Sequence, residues 1–178
     1  MKYNIILIIT LLLAFFIIVF VVSQSAEERF YDLEGERVSL KDYKGKYSIL
    51  AFTFMSCPSI CPMTNTELSR LKERYGDKIN LITINVDPLN DTPEKLRKYM
   101  SANNYSWDVI VADMNEVKRV IGDILSYPEP EKYIESPAFH PPGLHLMDRD
   151  FKYTNKNFFP IAQDVDELMI ELDKLIDK

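Results

Sequence analysis

The 178-residue sequence has few glycines and no dense run of lysine or arginine. With 5 glycines, 47% apolar residues and 27% charged residues, it is neither collagen-like, nor of low complexity, nor disordered, so the chain folds. Its formal charge is −6, so no nucleic-acid partner is expected, because such a partner requires a basic stripe. The length suits one domain with an appendage.

One long apolar run lies near the N-terminus, where residues 5–22 contain Thr10 as their only polar residue. A helix of this length rises about 27 Å, close to the hydrocarbon thickness of a bilayer. A buried core helix would show a polar stripe, and this run has none. The run predicts a transmembrane anchor within residues 1–25, in contact with membrane lipid through residues 5–22, and a folded domain over residues 26–178.

The flanks of the apolar run predict its orientation. Lys2 precedes the run, and Glu27 and Glu28 follow it. Positive charge is retained in the cytoplasm, so the flanks predict a single-pass protein of the cell membrane with a cytoplasmic N-terminus and an extracytoplasmic domain. A cleaved signal peptide is the alternative, since Ser23 and Ser25 offer small residues for cleavage, although the run is longer than a usual signal-peptide core.

The rest of the sequence alternates strand and helix patterns. A strand, a helix and a strand in succession imply a right-handed parallel crossover, so the fold class predicted is an α/β sandwich. A small hairpin around Gly35 precedes the core. The further elements predicted are strand 47–55, helix 62–75, strand 79–86, a helix capped by Thr92, strand 109–111, a helix capped by Asp113, the irregular proline-rich loop 126–143, a hairpin of 144–147 with 151–153, and a final helix capped by Asp164.

Both cysteines follow the strand 47–55 directly. A disulfide between Cys57 and Cys61 would close so short a loop that it adds only about 2 kcal/mol, so stapling the fold is a poor explanation for the pair. A buried pair of unreactive thiols is the other structural interpretation, but Pro58 and Pro62 indicate an exposed turn where thiols react. Pro62 favours the first helical position, which places Cys61 beside the N-cap and predicts a lowered pKa for its thiol.

The carboxyl ends of parallel strands meet at one edge of a sheet. Cys57 and Asp87 both follow such strand ends, so we expect them to be neighbours. If the strand 144–147 runs antiparallel to the others, the end of the proline-rich loop brings His140 toward the same edge. His145 would instead lie within that strand as a structural histidine.

The sequence resembles the Sco (SenC) family of copper proteins, which serve cytochrome c oxidase assembly, over nearly all of residues 30–177. Three features carry the resemblance: FTFMSCPSICPMTNTELSRL, INVDPLNDTPEKLRKYM, and a histidine eight residues before the aspartate of LHLMD. The resemblance implies a thioredoxin-like domain with an N-terminal membrane anchor. It also implies copper ligation by Cys57, Cys61 and His140, with Asp87 in an acidic loop beside the metal. This chain has Pro141 after the histidine, where the family usually has Ser or Thr.

The function implied is that of a membrane-anchored chaperone, which accepts Cu(I) or Cu(II) on the reduced cysteines and passes it to a copper subunit of cytochrome c oxidase or to another copper acceptor. Two thiolates and one imidazole form a soft site suited to Cu(I). A closed zinc site would need His145 as a fourth ligand. Oxidation of Cys57 and Cys61 to a disulfide would abolish copper binding.

An extracytoplasmic thiol-disulfide oxidoreductase, or a peroxide-reducing thiol protein, is the alternative that uses the same two cysteines. Against this alternative, the sequence lacks the C-x-x-C spacing of thioredoxins, and Leu50 and Phe54 stand where a peroxiredoxin has Pro and Thr. It also leaves His140 without a role. A metal-free membrane adaptor is the third interpretation. Whether the chain is an enzyme therefore stays open at this point, with a non-enzymatic metallochaperone favoured.

Overall fold

The computed structural model describes residues 7–17, 29–134, 136 and 139–176. Residues 7–17 are helical and exposed. Within the described ranges, no helix has both the length and the apolar character needed to cross a bilayer. The predicted anchor, residues 5–22, lies partly outside these ranges.

The domain alternates strands and helices in the order expected. Its strands are β1 (Phe30–Tyr31), β2 (Arg37–Val38), β3 (Ser48–Thr53), β4 (Asn80–Asn85), β5 (Asp108–Ala112), β6 (Leu144–Met147) and β7 (Tyr153–Phe158). Its α-helices are α1 (Ile60–Tyr75), α2 (Pro93–Ala102), α3 (Met114–Arg119) and α4 (Ala162–Ile176). Shorter helical segments are the 3-10 helices Leu40–Tyr43 and Pro130–Ile134 and the π-helix Val120–Ile124.

The strands of the described residues form one seven-stranded mixed sheet in the order β2-β1-β5-β4-β3-β6-β7. Strands β3, β4 and β5 are parallel neighbours, which confirms the predicted crossovers. Strand β6 is antiparallel to β3, so it begins at the edge of the sheet where β3 ends. The loop that precedes β6 and the loop that follows β3 therefore meet at one edge of the sheet.

Apolar side chains are buried on both faces of the sheet. Because side chains alternate along a strand, Ile49 and Ala51 of β3 face one core, whereas Leu50 and Phe52 face the other. Helices α1, α2 and α4 pack on the face of Ile49, which we call the first core. Helix α3 and the π-helix pack on the face of Leu50, the second core. The α/β sandwich predicted from the sequence is confirmed.

Three local predictions are wrong. Helix α1 begins at Ile60, so Pro62 is its third residue rather than its first. A proline is tolerated there because the first N–H groups of a helix have no intrahelical partner. The loop 126–143 is not irregular throughout, since Pro130–Ile134 forms a 3-10 helix with its proline at the first position. Helix α4 begins before Asp164, whose carboxylate accepts the backbone N–H of Phe159 at 3.2 Å from within the first turn.

The predicted hairpin near the C-terminus is confirmed with different bounds. Its second strand begins at Tyr153, while Phe151 lies in the turn with a φ of +60°. The caps of α2 and α3 are confirmed, because Thr92 accepts the N–H of Lys95 and Asp113 accepts the N–H groups at the start of α3.

Candidate functional site

The two cysteines lie together where the chain passes from β3 into α1. Cys61 is the second residue of α1, and its backbone N–H donates to the Sγ of Cys57 at 3.3 Å. Both thiols are free and buried, with 9% of Cys57 and 3% of Cys61 exposed. Ser59 precedes the helix, but its side chain makes no capping hydrogen bond. The sulfur of Cys57 therefore takes the place of an N-cap side chain.

The two thiols differ in acidity because of this arrangement. Burial alone would raise the pKa of Cys57, but hydrogen bonds from the Cys61 thiol and from the backbone N–H groups at the helix start outweigh it and lower the pKa. Burial raises the pKa of Cys61, and the hydrogen bond that its thiol makes with Cys57 raises it further. The prediction of a lowered pKa for Cys61 is therefore wrong. The helix start acts on the sulfur of Cys57 instead, because the N–H groups point at that sulfur.

Phe54 contacts both cysteines and His140. Its carbonyl accepts the backbone N–H of Cys57 at 3.4 Å, and hydrogen bonding from its backbone partly offsets the rise in the pKa of Cys61. Its ring meets the imidazole of His140 edge to face, with 5.7 Å between the ring centroids. Phe54 therefore contacts both the cysteine segment and His140, which the sequence predicts at the same edge of the sheet. Among the described residues, no three His, Cys, Asp or Glu side chains form a group able to hold a metal ion.

His140 is held in one orientation and one tautomer. Its Nδ1 lies 3.2 Å from the carbonyl oxygen of Pro141, and because a carbonyl only accepts, Nδ1 carries the proton. The lone pair of Nε2 is then available for a metal. Only 7% of the residue is exposed, and burial lowers the pKa of the ring, which keeps it neutral. A neutral imidazole with its other nitrogen bonded to a backbone carbonyl is the usual state of a metal-binding histidine.

His145 has the structural role predicted for it. It is fully buried in β6, where its Nδ1 donates to the carbonyl of Leu50 at 3.1 Å and its Nε2 lies 3.0 Å from the hydroxyl of Tyr127. Burial lowers the pKa of His145 to about 4. Both ring nitrogens are engaged, so neither is free to bind a metal.

The acidic loop after β4 reaches the cysteine segment through Asp91. Its Oδ2 accepts the backbone N–H of Met55 at 2.8 Å and the side-chain amide of Asn85 at 2.8 Å, and only 4% of Asp91 is exposed. The carboxylate of Asp87 instead accepts from the side chain of Asn90 at 2.8 and 3.1 Å. The sequence analysis favoured Asp87 over Asp91 as the acidic residue of interest in this loop, whereas it is Asp91 that bonds to the cysteine segment. The partner of Asp91 lies 36 positions away, so no local pattern signals the contact.

Comparisons with known proteins show the family to which the chain belongs. The family model described as SCO1/SenC matches residues 24–177. Protein sco1 of Schizosaccharomyces pombe is 28% identical over 134 residues, 68% of this chain and 50% of that protein. The SCO1 protein homolog of Bacillus subtilis is 27% identical over 136 residues, 69% of this chain and 67% of that protein. The chain spans about half the length of several curated relatives, with 46% and 50% covered in two of them.

Solved structures share the fold. The structure of Bradyrhizobium japonicum ScoI with copper bound superposes with a TM-score of 0.61 and 25% identity, covering 82% of this chain and 94% of that one. Yeast Sco1 with copper bound superposes with a TM-score of 0.58 and 25% identity, covering 81% of this chain and 89% of that one.

Proposed function

The chain belongs to the SCO1/SenC family, and we propose that it is a copper chaperone that delivers the ion to a copper subunit of cytochrome c oxidase or to another copper acceptor. One observation carries the proposal: the thiols of Cys57 and Cys61 hydrogen bond to each other, and Phe54, whose carbonyl accepts the N–H of Cys57, contacts the imidazole of His140, whose Nε2 lone pair is available. Two relatives of this fold, from Bradyrhizobium japonicum and yeast, have been solved with copper bound.

The donor set suits copper as cargo. Two thiolates and one imidazole are soft ligands that favour Cu(I) and tolerate Cu(II). Because the thiols of Cys57 and Cys61 are already in contact, they take the ion first and lose their protons to solvent as the sulfur–metal bonds form. His140 then adds the third ligand. A three-ligand site is open, so an acceptor's thiolate or imidazole enters before a ligand of this chain leaves.

Location follows from the N-terminal apolar run. Residues 1–25 serve as a cytoplasmic tip and membrane anchor, in contact with lipid through residues 5–22, and residues 26–178 form the copper-binding domain on the extracytoplasmic side. An acceptor in the same membrane would then meet the domain at short range.

Thiol-disulfide exchange is the second candidate function, favoured by the unequal acidity of the two thiols. The Cys57 thiolate attacks a substrate disulfide, and one substrate thiolate leaves. Cys61 then loses its proton and attacks the Cys57 sulfur, releasing the second substrate thiol. The substrate gains two electrons and the chain is left with a Cys57–Cys61 disulfide, a form that cannot bind copper.

A copper titration of the purified, reduced full chain tests the chaperone proposal. We expect one tightly bound copper ion, loss of binding in Cys57→Ser and in Cys61→Ser, and altered Cu(II) absorption bands in His140→Ala. Phe139→Ala is the matched control, because Phe139 is exposed in the same loop and its loss should leave the bands unchanged. Unchanged bands in His140→Ala would reject that residue as a ligand.

The same variants separate the second function from the first. If the chain is an oxidoreductase, both serine variants lose disulfide exchange, His140→Ala retains it, and the reduced chain binds no copper tightly. Tight copper binding that depends on His140 would instead favour the chaperone, since exchange gives the imidazole no part.

A further inference from the structure

A chain of hydrogen bonds links three side chains near the proline-rich loop, and we call these residues, Tyr127, His145 and Asn157, the anchor network. The hydroxyl of Tyr127 lies 3.0 Å from Nε2 of His145. The side-chain amide of Asn157 donates to that hydroxyl at 3.2 Å and to the carbonyl of Pro142 at 3.0 Å. The network therefore ties the start of the loop to its end.

Each proton in the anchor network has a defined place. The carbonyl of Leu50 accepts from Nδ1 of His145, so Nε2 of this ring must accept. The hydroxyl of Tyr127 donates to that nitrogen and accepts from Asn157. Asn157 has two amide protons, and the second goes to Pro142. Every bond has one donor and one acceptor, so the arrangement is consistent throughout, and it keeps His145 neutral.

The network ends one peptide group from the bond that orients His140. The carbonyl of Pro141 holds Nδ1 of His140 at 3.2 Å, and the carbonyl of Pro142 accepts from Asn157. Both proline rings fix their φ angles, so a carbonyl fixed at Pro142 also limits the orientation of the carbonyl at Pro141.

Gly143 shows how closely Asn157 is fitted to this loop. Its φ is +109°, and a Cβ added there would lie 2.2 Å from Oδ1 of Asn157. The side chain of Asn157 thus lies against the loop backbone where a larger residue than glycine has no room.

We propose that the anchor network positions His140 for copper, with Asn157 as the residue that holds the loop and Tyr127 and His145 as its support. This inference rests on the proposed function, because it assumes that His140 is a ligand. The assignment deepens that function by naming groups that touch neither the thiols nor the metal. Hydrogen bonds to outer groups of this kind usually change metal affinity by about 10- to 100-fold.

The first test needs no copper. In the reduced, metal-free full chain, ¹⁵N NMR shifts of the His140 ring should show one tautomer with the proton on Nδ1. Asn157→Ala should produce a mixture of tautomers, because the loop carbonyls lose their fixed orientation. Lys156→Ala is the matched control, since Lys156 is the neighbouring exposed residue of β7 and pairs with Glu171 instead. An unchanged His140 tautomer in Asn157→Ala would overturn the inference and leave the proposed function intact.

The second test measures copper. Asn157→Ala should shift the Cu(II) absorption bands and weaken Cu(II) affinity about tenfold, while the ion still binds to the cysteines. Tyr127→Phe should shift the bands in the same direction, and Lys156→Ala should not shift them. If the Cu(II) absorption bands of Asn157→Ala and Tyr127→Phe were both the same as those of the wild-type chain, the positioning role would be overturned. A wild-type chain that binds no copper, or bands that do not depend on His140, would overturn both the inference and the proposed function.

Discussion

The sulfur of Cys57 lies 3.3 Å from the backbone nitrogen of Cys61, so the first cysteine caps the helix on which the second lies. This contact, rather than the position of Cys61 at the helix start, explains which of the two thiols is the more acidic. The N–H groups at the start of α1 stabilise a thiolate on Cys57, whereas burial disfavours one on Cys61.

Alkylation of the reduced chain tests this difference. At neutral pH we expect iodoacetamide to modify Cys57 at least about tenfold faster than Cys61, because the thiolate is the nucleophile. Peptide mass spectrometry after short reaction times measures both rates. Cys57→Ser should leave only the slow reaction. Equal rates at the two cysteines would contradict the assigned acidities.

Asp91 and Asp87 lie in one loop, so their alanine variants allow a matched comparison of stability. Asp91→Ala leaves the N–H of Met55 and the buried amide of Asn85 without their acceptor, so the free energy of unfolding should fall by about 2 to 3 kcal/mol. Asp87→Ala should cost about 1 kcal/mol or less, because its partner Asn90 is exposed and can bond to water. Denaturant unfolding of both variants measures the difference, and a larger loss in Asp87→Ala would contradict these two roles.

The sequence predicted the sheet well because hydrophobic runs and proline or glycine breaks are local signals. The strand 47–55, the cap at Thr92 and the crossover all follow from residues that are close in the chain. The same reasoning placed the cysteines and His140 at one edge of the sheet. It could not predict the bond between Asp91 and Met55, because the two residues lie 36 positions apart and only the fold brings them together.

The free energy of unfolding should depend on pH through His145. As the pH falls below about 6.5, the unfolded chain gains a proton on this residue. The folded chain does not gain it until the pH approaches about 4, the lowered pKa of the buried ring. The unfolded state therefore binds more protons over this interval, and the free energy of unfolding falls by about 2 kcal/mol between pH 7 and pH 5. Denaturant unfolding of the copper-free chain at both values measures it.

Burial lowers the pKa of His140 as well, so His140 contributes in the same direction. An NMR titration of the two histidine rings separates them. The His145 ring should remain neutral at pH 5, and a His145 pKa close to 6.5 would contradict the assignment.

Gly143 and Asn157 should be coupled in stability. Gly143→Ala strains a φ of +109° and brings its Cβ against Asn157, so we expect a loss of about 2 to 3 kcal/mol. In the double variant with Asn157→Ala, the total loss should be smaller than the sum of the single losses by about 1 kcal/mol, because the clash with Oδ1 is removed. The carbonyl of Phe158, 2.9 Å from the added Cβ, keeps the relief incomplete.

Gly35→Ala is the control for backbone strain alone. Gly35 also has a positive φ, +84°, but an added Cβ there meets no atom within 4 Å. We expect a loss of about 1 kcal/mol. Additive losses for Gly143 and Asn157 in the double-mutant cycle would show that no steric coupling exists.

The acidity of the thiols and the anchor network lay beyond sequence reasoning for a common reason. The position of Cys61 at a helix start is visible in the sequence, but the direction of the N–H groups toward Cys57 is set by the loop geometry. Likewise, Tyr127 and Asn157 are thirty positions apart, and the pairing of β6 with β7 places Asn157 opposite His145, the residue to which Tyr127 also bonds.

Cys61 and His140, two of the copper ligands that we propose, are held against different cores of the sandwich. Cys61 lies on α1, which packs on the first core, whereas His140 rests against Phe52 and Phe54 of the second core. A small shift of the first core relative to the second would change the distance between the Cys61 thiol and the His140 imidazole without replacing either side chain. If the proposed ligands are correct, substitutions that repack either core would therefore change the affinity for copper and the rate of its release.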